Sequence, residues 1–352
     1  MARGTLLVTG AAGFIGARFV ESCGKRGIPV VSVDRRASFT ERPEHRGLDF
    51  GTIVDFEELD AWLAAQPRGT DAQPRGSEAQ PPHLDAAPPG FSTRSALRGI
   101  VHLGACTDTT EMDVAFLTRV NLEYSQRLWR WATERKVPFV YASSAATYGD
   151  GALGYDDDEA GIPKLRPLNP YGDSKQQFDL WALAEERAGR RPPAWTGFKF
   201  FNVYGFGERH KEKMASVILH AFDQIRAGGE VRLFKSHRPD FADGAQRRDF
   251  IFVEDVVAVL HFTLDTAVPR GIFNLGTGSS RTFLDLAQAT FSALGARPNL
   301  RFIDMPETLR ERYQYATEAH MARLRGAGYE APFTTLEDGV RQYVARLLAV
   351  AA

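Results

Sequence analysis

Apolar runs that favour β-structure alternate along this chain with segments of helical pattern. Six strands are predicted from the apolar runs: Thr5–Thr9, Val30–Val33, Gly99–Leu103, Phe139–Ser143, Gly197–Phe201 and Gly271–Leu275. Helices are predicted between them, for example at Asn121–Arg135 and Ser174–Ala188. Such alternation indicates an α/β fold, in which a doubly wound parallel sheet is covered by helices on both faces. Ligands of such sheets bind at the carboxyl ends of the strands.

The segment directly after the first strand is rich in glycine. Residues 9–16 read TGAAGFIG, which predicts a strand that ends in a tight turn and opens a helix. Gly10 permits the turn, Gly13 lets the backbone approach a pyrophosphate, and Gly16 lets the helix pack closely on the strand. Asp34 follows the second strand, near the spacing expected of a ribose-binding carboxylate. This context favours a Rossmann dinucleotide-binding unit.

Two interleaved units are predicted from the order of the segments. A dinucleotide-binding unit is expected over residues 1–201, with 250–275 returning to it. A smaller α/β unit for the substrate is expected over residues 202–249 and 276–352. The segment Thr335–Ala349 has apolar residues at helical spacing and is expected to pack on the smaller unit.

Residues 66–98 depart from the alternation. They are rich in Pro, Gly, Ala, Arg and Gln, and the tripeptide Pro-Arg-Gly occurs in them twice. Few apolar residues there could join a core, so the segment is predicted to be a flexible surface insertion. A second, short insertion is predicted at Pro239–Gln246.

Composition and charge narrow the class of protein. The 352 residues can bury a large core, and 43% hydrophobic with 25% charged residues is ordinary for a globular chain. A net charge of −1 does not indicate binding to nucleic acid or to a membrane surface. The two cysteines, Cys23 and Cys106, are too few for a disulfide framework or a cysteine-built zinc site. We expect a cytoplasmic protein without a metal, a nucleic-acid partner or a membrane span.

Ser144, Tyr171 and Lys175 are the candidate catalytic residues. Ser144 stands at the end of a predicted strand, and the spacing of Tyr171 and Lys175 places them on one helix face. A nearby ammonium favours phenolate and lowers the pKa of a tyrosine. Tyr171 could therefore act as general acid and base, with Lys175 as its tuning residue and a ribose contact. Ser144 could hydrogen-bond the reacting oxygen. Alone, this spacing usually marks a solvated helix face, but its place after a glycine turn favours catalysis.

These motifs resemble those of the extended short-chain dehydrogenase/reductase superfamily, and the chain is similar to its ADP-L-glycero-D-manno-heptose 6-epimerases. The similarity covers nearly the whole chain except residues 66–98. It is carried by residues 9–16, 102–111, 141–149, 169–175, 201–205, 210–216, 248–250, 273–278 and 312–314. The glycine turn and the Tyr171–Lys175 spacing are typical of the superfamily. The blocks GACTDTTE at 104–111 and HKEKMAS at 210–216 are more particular to the epimerases.

The resemblance implies inversion of a carbinol centre of a nucleotide-diphosphate sugar. Hydride leaves to a nicotinamide, a ketone forms, and hydride returns to the opposite face. Proton transfer then needs two groups, and the resemblance assigns Tyr171 to one epimer and Lys211 to the other. Lys211 needs a partly desolvated site to act near neutral pH; without the resemblance, residues 210–216 would be interpreted as a solvated charge patch. The resemblance also implies a role in lipopolysaccharide core synthesis and a homo-oligomer, a pentamer or larger.

The resemblance further implies two sets of binding residues. Those expected to bind the cofactor are Gly10, Gly13, Phe14, Ile15, Gly16, Asp34, Arg35, Leu103, Gly104, Ala105, Cys106, Thr107, Asn121, Tyr171, Lys175, Val203 and Lys211. Those expected to bind the substrate are Ser144, Asn202, Lys213, His220, Phe234, Lys235, Ser236, His237, Arg248 and Tyr313. Guanidinium groups such as that of Arg248 suit phosphate oxygens because they bind them bidentately.

Two departures from the family pattern bear on specificity. Lys213 stands where these epimerases commonly have a serine that touches the substrate, so the sugar pocket is expected to differ. The lysine that they usually place soon after Asp34 is absent, but Arg35 could face a 2′-phosphate. Asp34 alone favours NAD. We therefore expect NADP, with NAD as the alternative.

Other functions stay open at this point. A UDP-hexose 4-epimerase of the same superfamily could use one tyrosine for both faces of the sugar, and Lys211 would then be dispensable. A 4,6-dehydratase needs an Asp-Glu pair after the active-site serine, where this chain has Ala145 and Ala146. A non-catalytic dinucleotide sensor would tolerate loss of the acid/base residues, all of which are present here.

Overall fold

The computed structural model describes residues 4–66, 97–266, 268, 270–310 and 313–351. Its strands are β1 Thr5–Thr9, β2 Val30–Asp34, β3 Thr52–Asp55, β4 Leu97–His102, β5 Phe139–Ser144, β6 Trp195–Phe200, β7 Asn202–Tyr204, β8 Val231–Phe234, β9 Arg247–Arg248, β10 Phe250–Phe252, β11 Gly271–Leu275, β12 Arg281–Thr282 and β13 Leu300–Ile303. All six predicted strands are present. The predicted insertion at 66–98 lies almost wholly outside the described residues.

Helices cover both faces of the main sheet, and others pack together beyond it. They are α1 Phe14–Lys25, α2 Arg36–Thr40, α3 Leu59–Ala64, α4 Val114–Leu117, α5 Tyr124–Arg135, α6 Pro170–Arg187, α7 Val217–Gly228, α8 Val253–Asp265, α9 Phe283–Ala293, α10 Glu307–Arg310, α11 Ala322–Gly326 and α12 Leu336–Ala351. Short 3₁₀ helices lie at Pro43–His45, Ala145–Tyr148, Ile162–Lys164 and Arg209–Met214, and a π-helical stretch lies at Thr118–Glu123. No helix of the described residues is long and apolar enough to span a bilayer.

Seven parallel strands form the main sheet, in the order β11–β6–β5–β4–β1–β2–β3. Alternate residues of β1 point to opposite faces, as the strand geometry requires. Leu6 and Val8 join the core with Phe19 of α1, and Leu7 joins the core with Trp129 of α5. Because helices cover both faces, the inner strands of the sheet are largely apolar, as β1 shows. The predicted doubly wound parallel sheet is confirmed.

Three small sheets lie outside the main one. β7 pairs with β10 in parallel, β8 pairs with β13 in parallel, and β9 pairs with β12 in antiparallel fashion. The segment Pro239–Gln246 is a loop between β8 and β9 that reaches the start of α9, where Gly244 accepts a hydrogen bond from the Leu284 N–H at 3.1 Å. Its origin as an insertion and the division of the chain into two units stay predictions.

Sequence reasoning missed some elements and boundaries. It missed β3, an edge strand whose residues Thr52 and Ile53 are exposed, so that it carries little apolar pattern. It placed the start of α6 at Ser174, whereas the helix begins at Pro170. Asn169 caps that helix by accepting the Gly172 N–H at 2.8 Å, and proline suits the first helical position. The Asn-Pro pair in the sequence was the available signal.

The carboxyl-terminal helix α12 connects several parts of the fold. Val340 and Tyr343 pack with Leu286 of α9 in one core cluster. Arg346 donates hydrogen bonds to Glu21 of α1 at 2.7 and 2.8 Å, and its guanidinium lies 4.4 Å from the ring centre of Phe206. The helix predicted at 335–349 is therefore present. It also contacts α1, the helix that follows the first strand of the main sheet.

Candidate active site

The glycine turn between β1 and α1 leaves space beside its backbone. Gly10 has a left-handed φ of +66°, and a Cβ there would lie 2.6 Å from the Gly104 nitrogen. A Cβ on Gly16 would overlap the Gly10 carbonyl oxygen. Gly13 caps α1 without a side chain, so the first turn of the helix keeps its N–H groups available for an anion. The turn therefore forms a backbone cradle over residues 10–16, which a side chain at Gly10 or Gly16 would fill.

Asp34 closes this cradle on the side of β2. Its carboxylate accepts the Ala12 N–H at 3.0 Å and the Arg35 N–H at 2.8 Å. Burial raises the pKa of Asp34, while these hydrogen bonds and Arg42 act in the other direction. The Arg35 side chain is exposed and makes no hydrogen bond or ion pair with the described residues. The geometry suits a carboxylate that receives a ribose hydroxyl.

Arg42 is a site residue that sequence reasoning missed. Its guanidinium donates a hydrogen bond to the Ala12 carbonyl oxygen within the glycine turn. Arg42 and Arg46 also line a cavity of about 390 Å³ between residues 39 and 46. No sequence motif fixes the separation between the carboxylate of Asp34 and a basic residue such as Arg42. The sequence alone therefore could not identify Arg42.

The loop after β4 lies along the glycine turn. The Leu103 N–H donates to the Thr9 carbonyl at 3.1 Å, and the Gly104 N–H donates to the Thr9 hydroxyl at 3.2 Å. His102 sits beneath, with its ring nitrogens at 2.6 Å from Thr9 Oγ1 and 2.8 Å from Ser125 Oγ. Burial lowers the pKa of His102 to about 3, so this histidine is neutral and structural.

Asn121 joins this loop to the helix that carries Tyr171. Its Oδ1 accepts the Cys106 N–H at 2.8 Å, and its Nδ2 donates to the Cys106 carbonyl at 3.1 Å and to Ser174 Oγ at 3.0 Å. Ser174 in turn donates to the Tyr171 carbonyl at 2.7 Å. Asn121 lies in the π-helical stretch, a feature that is frequent at functional sites. Asn121 therefore links the loop after β4 to the start of α6, and its predicted contact with a cofactor stays a prediction.

Tyr171 and Ser144 meet at the carboxyl end of β5. Close packing at Gly172, where a Cβ would lie 2.8 Å from the Ala146 carbonyl oxygen, holds the start of α6 against the turn after Ser144. Burial raises the pKa of Tyr171, and its interaction with the Ser144 side chain opposes that rise. The prediction of a lowered tyrosine pKa is therefore wrong, because desolvation of the hydroxyl outweighs the hydrogen bond with Ser144.

Lys175 lies one helical turn beyond Tyr171 and is almost fully buried. Its Nζ donates to the Ala142 carbonyl at 2.9 Å. Burial lowers the pKa of Lys175 to about 8, although Asp179 and Cys106 act in the opposite direction. The side chain thus keeps its charge at neutral pH and loses it as the pH rises through about 8.

A buried ion pair supports this part of the site. Asp179 and Lys199 have fully buried side chains and lie 2.6 Å apart. Asp179 also accepts hydrogen bonds from Tyr141 at 2.9 Å and Ser143 at 2.7 Å, and Lys199 donates to Thr147 Oγ1 at 2.7 Å. Because Asp179 is committed to these partners, it supports the charge of Lys175 without binding it.

Replacing Lys199 by methionine is expected to lower the free energy of unfolding by about 3–5 kcal/mol, because it leaves a buried carboxylate without its cation. Urea denaturation measures the loss. The matched control is Lys25→Met, which removes an exposed i,i+4 pair with Glu21 and should cost no more than about 0.5 kcal/mol. A similarly small loss for Lys199→Met would contradict the importance of the pair.

Lys211 lies in the short helix between β7 and α7. Its Nζ is 5.6 Å from the ring centre of Phe14, in the first turn of α1. Burial lowers the pKa of Lys211, and the nearby Glu208 acts in the opposite direction. Glu212 follows with a left-handed φ of +47°, which is uncommon for a residue other than glycine. The predicted desolvation of Lys211 is thus present.

Arg248 is a buried guanidinium between aromatic rings. It is 8% exposed, and its central carbon lies 5.5 Å from the ring centre of Phe283 and 5.0 Å from that of Tyr313. Its hydrogen-bond acceptor among the described residues is the Arg247 carbonyl, at 2.8 Å. Burial lowers the pKa of Arg248. A buried guanidinium that has no carboxylate partner in the described part of the chain is suited to bind an anion.

The basic loop after Phe234 is engaged largely with the protein itself. Lys235 pairs with Asp304 at 3.2 Å, the Ser236 N–H donates to Asp243 at 2.7 Å, and the N–H of the exposed His237 donates to the Tyr315 hydroxyl at 3.0 Å. Tyr315 packs edge-to-face against Tyr313 with ring centres 5.4 Å apart, so the loop neighbours Arg248. Direct binding by these residues stays a prediction.

The other predicted residues occupy more varied places. Lys213 is exposed and faces Asp108 of the loop after β4. Asn202 and Val203 lie on β7, and the Asn202 N–H donates to the Asp249 carbonyl at 3.0 Å. His220 lies on α7, half-buried. Three predicted cofactor-binding residues remain. Ile15 lies in the first turn of α1, and Ala105 and the exposed Thr107 lie in the loop after β4.

This chain belongs to the NAD-dependent epimerase/dehydratase family, whose model matches residues 6–70 and 90–276. Among curated relatives, the ADP-L-glycero-D-manno-heptose-6-epimerase of Nitratidesulfovibrio vulgaris is 44% identical over 345 residues. The enzyme of the same name from Fusobacterium nucleatum is 39% identical over 353 residues. Each alignment covers 98% of this chain and 98% of the relative. The resemblance inferred from the sequence is confirmed.

Solved structures share the fold over nearly the whole chain. The ADP-L-glycero-D-manno-heptose-6-epimerase of Helicobacter pylori has a TM-score of 0.74 at 23% identity, covering 99% of this chain and 97% of that one. MoeE5 in complex with UDP-glucose and NAD has a TM-score of 0.71 at 25% identity, covering 99% and 100%. The first shows a common fold, and the second carries a nicotinamide dinucleotide with a nucleotide sugar.

Proposed function

We propose that this protein inverts C6 of ADP-D-glycero-D-manno-heptose to give ADP-L-glycero-D-manno-heptose, by transient oxidation and reduction on a bound nicotinamide dinucleotide. The observation that carries the proposal is a pair of desolvated proton-transfer groups on separate elements. Tyr171 lies near Cys106 of the loop that touches the glycine turn, and Lys211 lies over Phe14 at the start of α1. Full-length relatives at 39% and 44% identity bear the name of this activity.

The described residues fit a dinucleotide. Gly10 and Gly16 keep the cradle open, because any side chain at either position would fill it. The N-terminus of α1 faces the cradle. Asp34 would hold the ribose of the adenosine, and Lys175 the ribose next to the nicotinamide. When bound, an oxidised nicotinamide accepts hydride from a carbinol carbon, returns it later, and carries a positive charge that favours phenolate in a neighbouring tyrosine.

Two residues would move the proton of the sugar hydroxyl. Tyr171 takes the proton from one epimer as the carbinol becomes a ketone, while Ser144 holds the reacting oxygen. Lys211 gives a proton to the ketone oxygen as the other epimer forms, and the two roles reverse in the opposite direction. Having a separate group for each epimer lets the sugar be held in two orientations.

Arg248 would bind the diphosphate of the substrate. Its buried guanidinium, held between Phe283 and Tyr313, has donors available for phosphate oxygens. The neighbouring loop of residues 234–237 would line the same end of the site, with His220 and Asn202 completing it. Lys213, opposite Asp108, would border the sugar.

NADP is the proposed cofactor. Arg42 contacts the glycine turn beside Asp34, Arg35 is exposed next to it, and the cavity at residues 39–46 is lined by Arg42 and Arg46. Guanidinium groups around the adenosine ribose favour a 2′-phosphate over a free hydroxyl. By resemblance, the enzyme works in the cytoplasm as a homo-oligomer and supplies heptose for the lipopolysaccharide core.

One experiment tests the activity and the cofactor together. Purified protein is mixed with ADP-D-glycero-D-manno-heptose without added cofactor, and the C6 proton is followed by NMR. The L-glycero epimer should appear, and denatured protein should release a dinucleotide whose mass includes the 2′-phosphate. Absence of conversion, even after addition of NADP or NAD, would refute the proposal and direct the next assay to UDP-hexoses.

A further inference from the structure

A buried carboxylate lies at the base of the segment that carries Lys211. Glu208 has no exposed surface. Its carboxylate accepts the Ser216 N–H at 2.7 Å, the Ser216 hydroxyl at 2.6 Å and the Gly205 N–H at 3.3 Å. Gly205 precedes the segment and Ser216 caps the helix that follows it. One carboxylate thus fixes both ends of the loop.

The same residue holds the middle of the segment. The Glu208 carbonyl accepts the Lys211 N–H at 2.9 Å. Directly after Lys211, Glu212 has the left-handed φ of +47° described above. Such a conformation persists only where surrounding contacts fix it. The direction of the Lys211 side chain therefore depends on the anchors at Glu208.

The electrostatic surroundings make Glu208 the counter-charge of Lys211. The donors of its three hydrogen bonds are neutral groups. Tyr343 of α12 faces it, and proximity to Glu208 adds to the burial that raises the pKa of this tyrosine. From the segment itself, His210 faces Lys211; burial and the neighbouring Arg42 and His45 lower the pKa of His210 to about 4, so it is neutral at pH 7. The α1 neighbour of Lys211, Phe14, carries no charge.

We propose that Glu208 is the positioning residue of Lys211, which holds its segment in place and supplies the negative charge that stabilises its ammonium form. A lysine that both gives and takes a proton must reach either form near neutral pH. Burial favours the amine, and a carboxylate without a direct cation partner restores the ammonium. The part of this proposal that concerns proton transfer rests on the proposed function, whereas the effect on the charge of Lys211 does not.

Glu208→Gln tests the charge with the shape retained. The amide can still accept the Ser216 N–H and donate to its hydroxyl. Loss of the negative charge lowers the pKa of Lys211, so more amine is present at a given pH. Acylation of Lys211 by acetic anhydride in the intact protein, measured by peptide mass spectrometry, should increase at least about threefold at pH 7. The pH profile of the Lys211-dependent step should move to lower pH.

Asp223→Asn is the matched control. It makes the same chemical change on an exposed carboxylate that pairs with Arg209 of the same segment, at 2.9 Å. Its labelling curve should coincide with that of the wild type. An unchanged curve for Glu208→Gln, or an equal shift for Asp223→Asn, would overturn the proposal.

Glu208→Asp separates charge from folding. It keeps the charge on a shorter side chain, so Lys211 should be labelled as in the wild type even if the glutamine variant is unstable. A labelling increase as large as that of Glu208→Gln would refute the role of the charge. A labelling shift in a protein without epimerase activity would instead refute the proposed function alone.

Discussion

Replacing Tyr171 by phenylalanine is expected to slow epimerisation by about 10²- to 10⁴-fold, the usual range for loss of a general acid or base. Tyr171 is only 8% exposed, and phenylalanine fills the same volume without the hydroxyl. The loss should therefore fall on proton transfer and leave the fold intact. NMR at C6 of the ADP-heptose measures the rate, and thermal unfolding monitors the fold.

Tyr329→Phe is the control for that variant. Tyr329 is also a buried tyrosine, 5% exposed, and packs with Phe262 and Phe333 in the core beneath the sheet. Its replacement should leave the epimerisation rate at the wild-type value. Full activity in Tyr171→Phe would show that another group moves the proton.

Replacing Lys211 by methionine is expected to reduce epimerisation by a similar factor of about 10²–10⁴. Methionine has a similar length and can pack over Phe14, whose ring centre lies 5.6 Å from the Lys211 Nζ, but it has no proton to transfer. If the protein instead worked as a UDP-hexose 4-epimerase, with one tyrosine serving both faces of the sugar, this variant would stay fully active. The Lys211 result therefore separates the two-group mechanism from its alternative.

Single turnovers should separate the roles of the two residues. Each epimer is added alone to stoichiometric protein, and the ketone is detected by mass spectrometry. Tyr171→Phe should form the ketone from one epimer only, and Lys211→Met from the other only. Ketone formation from both epimers at wild-type rates in either variant would contradict the assignment.

The sequence revealed those features that lie on one element. The glycine turn was visible because its three glycines, the strand before it and the helix after it are contiguous. Tyr171 and Lys175 were visible because their spacing places them on one helix face. The order of apolar runs was likewise enough for the parallel sheet, except for the exposed edge strand β3.

Contacts between distant segments were not visible in the sequence. Arg42 reaches the glycine turn across 30 residues of chain, and Asn121 reaches Ser174 across 53. The direction of the Tyr171 pKa was missed for the same reason, because burial is a property of the packed protein. The spacing of Lys175 indicated a lower pKa, whereas burial of the Tyr171 side chain raises it.

The helix α12 has a consequence for the order in which the protein is made. It follows every other described element along the chain, so the ribosome completes it after them. Yet Tyr343 of this helix faces Glu208, and Arg346 ties it to Glu21 of the first helix. The main sheet can begin to assemble during translation, whereas the segment of Lys211 gains its full support only after α12 has emerged. Lys211 is therefore expected to reach its final position late in synthesis.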